Sequence, residues 1–204
     1  MARILVVSSF VTSGHVGMVT NVAALQALGH DVVQLPTIVL SNHPGLPHVA
    51  GEKVDSDLLL KMLEALNANG LLDNITAILT GYLPTESHVA VAREAVRLVR
   101  QKNEAAVFVC DPIVGDDPEG LYLPQPAAVA IRDQLVPLAD ILTPNRFELS
   151  WFSGCRVESL EDVQLAAEAL PCKGLAATSI PMGSNEILNV LIQGGTALPL
   201  STMR

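Results

Sequence analysis

Short runs of apolar, often β-branched residues recur along the chain and predict the strands of a sheet. The runs are apolar throughout and do not alternate with polar residues, which indicates strands that are buried on both faces. A continuous apolar run of this kind is typical of parallel strands. The predicted strands are 4–8, 31–35, 75–80, 105–110, 139–142, 174–178 and 186–193.

Segments with helical spacing of apolar residues lie between most of these runs. Asp55 stands where an N-cap is expected before one such segment, and Gly29 stands where a C-terminal cap is expected after another. Residues 36–54 are rich in Pro, Gly, Asn and His, and they predict a long loop. The predicted helices are 17–29, 55–69, 85–102, 126–135, 145–153 and 159–170.

The alternation of strands and helices predicts an α/β fold. Helices that connect parallel strands cover both faces of the sheet, so we expect three layers, α/β/α, around a mostly parallel central sheet. The 204 residues contain no linker, repeat or low-complexity tract, and we expect a single domain over 1–204.

Composition and charge narrow the class of protein. Half of the residues are hydrophobic, yet no apolar run approaches the roughly 18 residues that a membrane span needs. The formal net charge of −9 argues against a nucleic-acid partner, because phosphate backbones require a basic surface. Three cysteines, without the spacing of a zinc site, are typical of a reducing cytoplasm, where we expect the protein.

Two carboxylates follow the predicted strand 105–110, at Asp111 and Asp116. A second polar cluster, Thr143 to Glu148, follows the next predicted strand. Ligands of open α/β sheets bind at the carboxyl ends of the strands, so we expect Asp111 and Glu148 to converge there. Two acids in such a place predict a site for Mg2+ and phosphate. The alternative is that the aspartates only cap a helix or form a turn.

Three other loops carry candidate binding residues. Ser9 opens a glycine-containing loop after the first strand, although a cap or turn role for Ser9 remains an alternative. This loop lacks the GxGxxG pattern, so we set dinucleotide binding aside. Tyr82 follows the third strand and could stack on a flat ring or merely pack at an interface. The long loop with Ser41-Asn42-His43 is a candidate flap over a ligand.

These motifs, taken in order, resemble those of the pyridoxal kinases, which belong to the ribokinase-like superfamily. The resemblance extends through the whole chain. It rests on Ser9–Gly17, Ser41–His43, Thr80–Tyr82, Cys110–Asp116, Thr143–Glu148, Thr178-Ser179 and Gly183–Asn185.

The resemblance implies ATP-dependent phosphorylation of the 5′-hydroxymethyl group of pyridoxal, with Mg2+, in a homodimer, and it allows a monovalent cation as well. It implies substrate contacts at Ser9, Pro44, Gly45 and Tyr82. Nucleotide contacts are implied at Asp111, Tyr122, Asn145, Glu148, Thr178 and Ser179, and cation contacts at Asp116, Thr143 and Glu148. Pro44 replaces the threonine that is usual after Ser-Asn-His, so one hydroxyl contact to the substrate is missing.

The superfamily's Gly-x-Gly-Asp motif, which carries the anion hole and the catalytic base, does not follow the last strands. We therefore expect the base to lie beyond Arg204 and the 204 residues alone to be inactive. Two alternatives stay open. One is a related kinase of the superfamily that acts on a hydroxymethylpyrimidine, and the other is a module that binds pyridoxal or nucleotide without catalysis.

Overall fold

Strands and helices alternate in the computed structural model, which describes residues 1–182 and 186–203. The chain divides into two units, Met1–Phe108 and Val109–Arg204. Each unit contains three mutually parallel strands with antiparallel strands beside them, so the predicted α/β class with mostly parallel strands is confirmed. None of the helices in the described part of the chain is long and apolar enough to cross a membrane.

The first unit is built from four strands and three helices. Their order along the chain is β1 (Arg3–Ser13), α1 (Met18–Ala27), β2 (Asp31–Asn42), β3 (Gly51–Lys53), α2 (Ser56–Ala68), β4 (Ala77–Thr80) and α3 (Glu86–Lys102).

Strand β1 is the central strand of this unit, and it is parallel to β2 on one side and to β4 on the other. Leu5, Val6 and Val7 are fully buried, as expected for a strand that is covered on both faces. Strand β3 pairs antiparallel with β2 at the edge.

The helix ends of the first unit follow the predicted local signals. The Asp55 carboxylate accepts hydrogen bonds of 3.0 Å from the amides of Asp57 and Leu58, which caps α2. Gly29 follows α1 and has φ of +83°. Its amide donates to the Gln26 carbonyl, and the amide of the next residue, His30, donates to the Leu25 carbonyl. This pattern is the glycine-terminated cap that the sequence predicts.

The second unit begins with β5 (Val107–Cys110), which spans the boundary between the units. The later elements are β6 (Gly115–Asp116), β7 (Gly120–Leu121), α4 (Gln125–Ala130), β8 (Ile141–Leu142), α5 (Arg146–Ser153), α6 (Leu160–Glu168), β9 (Gly174–Met182), β10 (Glu186–Gln193) and β11 (Thr196–Met203). A π-helical turn, Ile131–Leu135, and a 3-10 turn, Val136–Leu138, continue α4.

Parallel pairing joins β5 to β8 and β8 to β9, and antiparallel pairing adds β10 and β11. The register places Cys110 opposite Leu142. The residues that follow, Asp111 and Thr143, therefore leave the sheet side by side.

Two predicted boundaries in the first unit are wrong. Strand β1 continues to Ser13, so Ser9 lies within the strand rather than in a loop. Residues 36–42 belong to β2 and 51–53 form β3, although the sequence predicts a loop over the whole of 36–54. Proline lacks an amide donor and therefore argues against a strand at Pro36. The sheet accommodates Pro36 next to a register shift between β1 and β2.

Strand β11 and the small β6–β7 hairpin were not predicted. Gly194 and Gly195 have φ of +57° and +78° and form the two-residue turn that connects β10 to β11. A Gly-Gly pair between two apolar segments is a hairpin signal, so β11 was predictable. Strands β6 and β7 have two residues each, which is too short to leave a periodic pattern.

Candidate functional site

Asp111 lies at the carboxyl end of β5, where the apolar strand gives way to a proline. Its carboxylate Oδ1 accepts a hydrogen bond of 3.1 Å from the Thr143 hydroxyl, which follows the neighbouring strand β8. The Thr143 amide in turn donates to the Cys110 carbonyl at 3.0 Å. The parallel pairing of β5 and β8 thus fixes Asp111 and Thr143 against each other.

Glu148 is a second carboxylate of this region and is only 3 % exposed. It occupies the third position of α5 and accepts a 2.9 Å hydrogen bond from the amide of Asn145, the N-cap residue. Its other oxygen accepts a 2.8 Å hydrogen bond from the Val114 amide. Glu148 therefore completes a capping box and also binds the loop that follows Asp111.

Asn145 connects the same two segments through its side chain. Its Oδ1 accepts from the Glu148 amide at 2.9 Å, and its Nδ2 donates to the Gly115 carbonyl at 2.8 Å. The loop after β5 is therefore held to the start of α5 by hydrogen bonds from both residues. Asp111 and Glu148 converge as expected, because the loop that follows Asp111 is bonded to Glu148 through the Val114 amide and to Asn145 through the Gly115 carbonyl.

Burial governs the electrostatics of both acids. Desolvation raises the pKa of Asp111 from 3.8 to about 6, against the opposing effect of the Thr143 hydrogen bond. Desolvation also raises the pKa of Glu148 from 4.5 to about 7, and the Asp111 charge adds to the rise although backbone hydrogen bonds oppose it. Two carboxylates that are costly to ionise in the same place create a strong preference for a nearby cation.

The backbone between these acids is tightly constrained. A Cβ atom on Gly115 would lie 2.4 Å from the Gly120 carbonyl oxygen and 2.5 Å from a ring carbon of Phe147, so only glycine fits there. Ile113 has φ of +41°, which is an unfavourable conformation for a β-branched residue. Such strain tends to be retained where the chain must present backbone groups to a ligand.

Asp116 and Tyr122 lie on or next to the β6–β7 hairpin. Asp116 pairs with Gly120 and its carboxylate accepts a 2.8 Å hydrogen bond from the Asp117 amide. Tyr122 is 51 % exposed, and its pKa is raised by desolvation and by Asp116, Glu119 and Glu148. An ion pair between Asp117 and Arg146 attaches the hairpin to the start of α5.

Thr178 and Ser179 lie in the middle of β9. The Thr178 amide donates to the Pro144 carbonyl at 3.0 Å, and Thr178 forms a parallel bridge with Asn145. Ser179 is exposed and has φ of +62°, with its amide donating to the Asn189 side chain at 3.3 Å. Thr178 therefore lies beside Asn145. Its strand, β9, is the neighbour of β8, the strand that Thr143 follows. Gly183, Ser184 and Asn185, which contributed to the resemblance, lie outside the described residues.

The four predicted substrate residues all lie in the first unit. Ser9 is half-buried in β1 and lies against Gly17, where a Cβ atom would come within 2.3 Å of the Ser9 hydroxyl. Pro44 and Gly45 are exposed in a turn, and the Gly45 amide donates to the His43 ring at 3.1 Å. Tyr82 is half-buried, and its carbonyl accepts a 2.7 Å hydrogen bond from the Thr37 hydroxyl.

Sequence reasoning missed the backbone groups of the second unit. The Val114 amide and the Gly115 carbonyl bind Glu148 and Asn145, and no residue type specifies a main-chain contact. Arg146 was not predicted as a site residue, although it pairs with Asp117. Among the described residues, no group of three or more His, Cys, Asp or Glu side chains could hold a metal ion by itself. Any cation here would need further ligands from elsewhere.

The sequence matches the family model described as Phosphomethylpyrimidine kinase over residues 11–204. It is 36 % identical to the pyridoxal kinase of Arabidopsis thaliana over 184 residues, which are 89 % of this chain and 59 % of that protein. It is 34 % identical to the pyridoxal kinase of Homo sapiens over 196 residues, which are 91 % of this chain and 62 % of that protein. The chain therefore spans less than two thirds of the length of these relatives.

Solved structures are similar over almost the entire chain. The pyridoxal kinase of Entamoeba histolytica superposes with a TM-score of 0.92 at 28 % identity, covering 100 % of this chain and 74 % of that one. The pyridoxal kinase of Leishmania donovani, in complex with ADP and pyridoxamine, superposes with a TM-score of 0.90 at 30 % identity, covering 98 % and 71 %. The loops that carry the candidate residues thus belong to a backbone that these kinases share.

Proposed function

The chain belongs to the phosphomethylpyrimidine kinase family and, within the ribokinase-like superfamily, groups with the pyridoxal kinases, and from this membership we propose that the protein phosphorylates pyridoxal with ATP. The acceptor is the 5′-hydroxymethyl group, and the role is vitamin B6 salvage. The observation that carries the proposal is the pair of buried carboxylates, Asp111 and Glu148, at the ends of neighbouring segments of the second unit.

The second unit supplies the nucleotide site of the proposal. Asp111 and Glu148 border the phosphates, with Asn145 between them and the loop after β5. Thr178 and Ser179 extend this surface along β9, and Tyr122 lies beside the β6–β7 hairpin. Phosphoryl transfer depends mainly on positioning and charge stabilisation, and a rigid hydrogen-bonded loop serves both.

The residues present fit a magnesium ion. Mg2+ takes oxygen ligands, and proteins usually hold it by one or two carboxylates together with substrate phosphates and water. Asp116, Thr143 and Glu148 offer oxygens of the right kind, and a cation would offset the cost of ionising Glu148. When bound, the ion would neutralise the phosphate charge, and Asn145 and Val114 would keep the Glu148 carboxylate oriented.

The first unit supplies the pyridoxal side. Ser8 directly precedes Ser9, and Thr80 lies two residues before Tyr82. The hydroxyls of Ser8 and Thr80 are buried without a hydrogen-bond partner among the described residues. An unsatisfied buried hydroxyl is costly, so its retention on the two neighbouring strands β1 and β4 favours a polar ligand or water there. Pro44 and Gly45 would cover the ring, and Tyr82 would flank it.

A second candidate reaction is phosphorylation of a hydroxymethylpyrimidine, which the description of the matching family favours. Both substrates present a hydroxymethyl group on a flat nitrogen heterocycle. Pyridoxal carries an aldehyde and a phenolic hydroxyl that the pyrimidine lacks. Affinity for the two compounds, measured on the same protein, separates the candidates.

Titration calorimetry tests the proposal directly. We expect the protein to bind Mg2+–ADP and to bind pyridoxal more tightly than the hydroxymethylpyrimidine. Asp111→Asn should weaken Mg2+–ADP binding and leave pyridoxal binding unchanged, since the carboxylate lies on the nucleotide side. Tighter binding of the pyrimidine would transfer the proposal to the second candidate, and a protein that binds neither heterocycle would contradict it.

We also propose a homodimer in the cytoplasm. Cys110, Cys155 and Cys172 form no disulfide among the described residues, which suits a reducing compartment. Sedimentation at several protein concentrations tests the oligomeric state, and a single monomeric species at all of them would contradict the homodimer.

A further inference from the structure

A chain of hydrogen bonds in the first unit ends on Tyr82 and passes through a buried histidine, His88. The Thr37 hydroxyl donates to the Tyr82 carbonyl at 2.7 Å, and the Thr37 carbonyl accepts from the Val54 amide at 3.0 Å. His88 Nε2 lies 2.9 Å from the Val54 carbonyl, and His88 Nδ1 lies 2.7 Å from the Thr85 hydroxyl. Thr85 is three residues after Tyr82, so the chain closes on the loop where it began.

The partners of His88 define the state of its ring. The Val54 carbonyl can only accept, so Nε2 carries the proton and donates to it. Nδ1 then accepts from the Thr85 hydroxyl, which leaves both ring nitrogens satisfied in the neutral form. His88 is 4 % exposed, and desolvation lowers its pKa, in agreement with a neutral ring. The hydrogen bond with the Val54 carbonyl opposes this shift, the charge of Lys53 adds to it, and the Thr37 backbone and Asp55 oppose it more weakly.

Three segments meet at this histidine. Thr37 belongs to β2, Val54 directly follows β3, and Tyr82 and Thr85 belong to the loop between β4 and α3. The turn with Pro44 and Gly45 is the connection between β2 and β3. Both segments that carry the proposed covering and flanking residues are therefore anchored to one side chain on α3.

We propose that His88 is a positioning residue for the pyridoxal side of the protein, which holds the Tyr82 loop and the β2–β3 connection in register. The inference rests on the proposed function, in which Pro44 covers the pyridoxal ring and Tyr82 flanks it. His88 itself is buried beneath these segments and acts through Thr37, Val54 and Thr85. It takes no part in the nucleotide site of the second unit.

Replacing His88 distinguishes an effect on the position of the pyridoxal-binding segments from a general loss of stability. His88→Leu removes the imidazole from the Val54 carbonyl and from the Thr85 hydroxyl, which keeps only the backbone amide of residue 88, and we expect pyridoxal affinity to fall about tenfold. Mg2+–ADP affinity should not change. His88→Gln places an amide donor near the position of Nε2, so it should recover most of the pyridoxal affinity.

Asn103→Leu is the matched control. Asn103 lies at the other end of α3 and donates a side-chain hydrogen bond of 3.1 Å to the Ile75 carbonyl. Its replacement also removes a bond from α3 to a backbone carbonyl, so it should lower the melting temperature. Pyridoxal affinity should remain at the wild-type value. Thr37→Val, which removes only the bond to Tyr82, serves if His88→Leu does not fold, and should also weaken pyridoxal binding selectively.

The outcomes are distinct. Wild-type pyridoxal affinity in His88→Leu, or in Thr37→Val where the former does not fold, overturns the inference while the proposed function stands. An equal loss of pyridoxal and ADP affinity also overturns it, because it shows a general loss of structure. A wild-type protein that binds ADP but not pyridoxal removes the proposed function, and the inference falls with it.

Discussion

The Thr143 hydroxyl donates a 3.1 Å hydrogen bond to the Asp111 carboxylate, across the two neighbouring parallel strands β5 and β8. This hydrogen bond favours the charged form of the carboxylate, which burial disfavours. It places a donor at the carboxylate without neutralising its charge. The arrangement keeps the Asp111 carboxylate oriented.

Asp111→Asn should stabilise the protein above about pH 6 and not below about pH 4. Burial raises the pKa of Asp111 from 3.8 to about 6, so the folded state binds more protons than the unfolded state between these values. Stability therefore falls as the pH rises through that window. The asparagine removes this cost, and we expect a gain of about 1–3 kcal/mol at pH 7.5.

Thermal unfolding of both proteins from pH 3.5 to 8 measures this effect. The melting temperatures should coincide at the acidic end and separate as the pH rises. A constant difference across the whole range would show that packing, rather than ionisation, separates the two proteins. Loss of Mg2+–ADP binding in the more stable variant would demonstrate that the carboxylate is retained for function at a cost in stability.

Thr143→Val should raise the pKa of Asp111 further. The hydrogen bond from Thr143 is the contribution that lowers this pKa, and valine preserves the shape of the side chain without the donor. Carbon-detected NMR titration of the Asp111 carboxyl follows the change directly. An unchanged titration midpoint would mean that solvent replaces the threonine hydroxyl.

The parts of the candidate site that depend on local sequence or on the alignment of parallel strands were predictable. Asn145 and Glu148 have the spacing of an N-cap and a third helical residue, which is a local rule. Asp111 and Thr143 meet because the carboxyl ends of neighbouring parallel strands lie together. Both relations can be inferred from residue types and spacing alone.

The remaining determinants depend on the tertiary path of the backbone. Val114 contributes an amide and Gly115 a carbonyl, and neither group is encoded by the side chain at that position. The length of β2 was missed because Pro36 and the Asn, His, Pro and Gly residues between 42 and 48 resemble a loop, although pairing with β1 provides the partners of a strand. His88 was not singled out, since a lone histidine in a helix gives no indication of which carbonyl it will reach.

Gly115→Ala should be more destabilising than Gly154→Ala, although only Gly154 has a positive φ. The new methyl group at Gly115 would meet the Gly120 carbonyl and the Phe147 ring, whereas a Cβ atom on Gly154, at φ of +71°, would have no atom within 4 Å. We expect about 1 kcal/mol at Gly154 from backbone strain. At Gly115 the overlap should cost about 2–4 kcal/mol.

Urea denaturation of the two variants makes the comparison. Gly115→Ala should also weaken Mg2+–ADP binding, because the displaced loop carries the Val114 amide that orients Glu148. Gly154→Ala should bind Mg2+–ADP as the wild type does. Equal stability of the two variants would contradict the close approach between Gly115 and Gly120.

Glu148→Gln and Asp162→Asn provide a matched pair that separates capping from ligand binding. Each acid completes a capping box in the second unit, Glu148 at the start of α5 and Asp162 at the start of α6. Each also accepts two backbone amides, those of Val114 and Asn145 in one case and those of Glu158 and Ser159 in the other. Loss of one such bond should lower the free energy of unfolding by about 1–2 kcal/mol in each variant. In Glu148→Gln this loss is offset as the pH rises through 7, because glutamine also removes the cost of ionising a carboxylate whose pKa burial raises to about 7. Only Glu148→Gln should raise the Mg2+ concentration needed for half-maximal ADP binding, because only Glu148 lies beside Asp111. Titration of ADP at a series of Mg2+ concentrations measures this requirement, and an equal Mg2+ requirement in the two variants would remove Glu148 from the cation site.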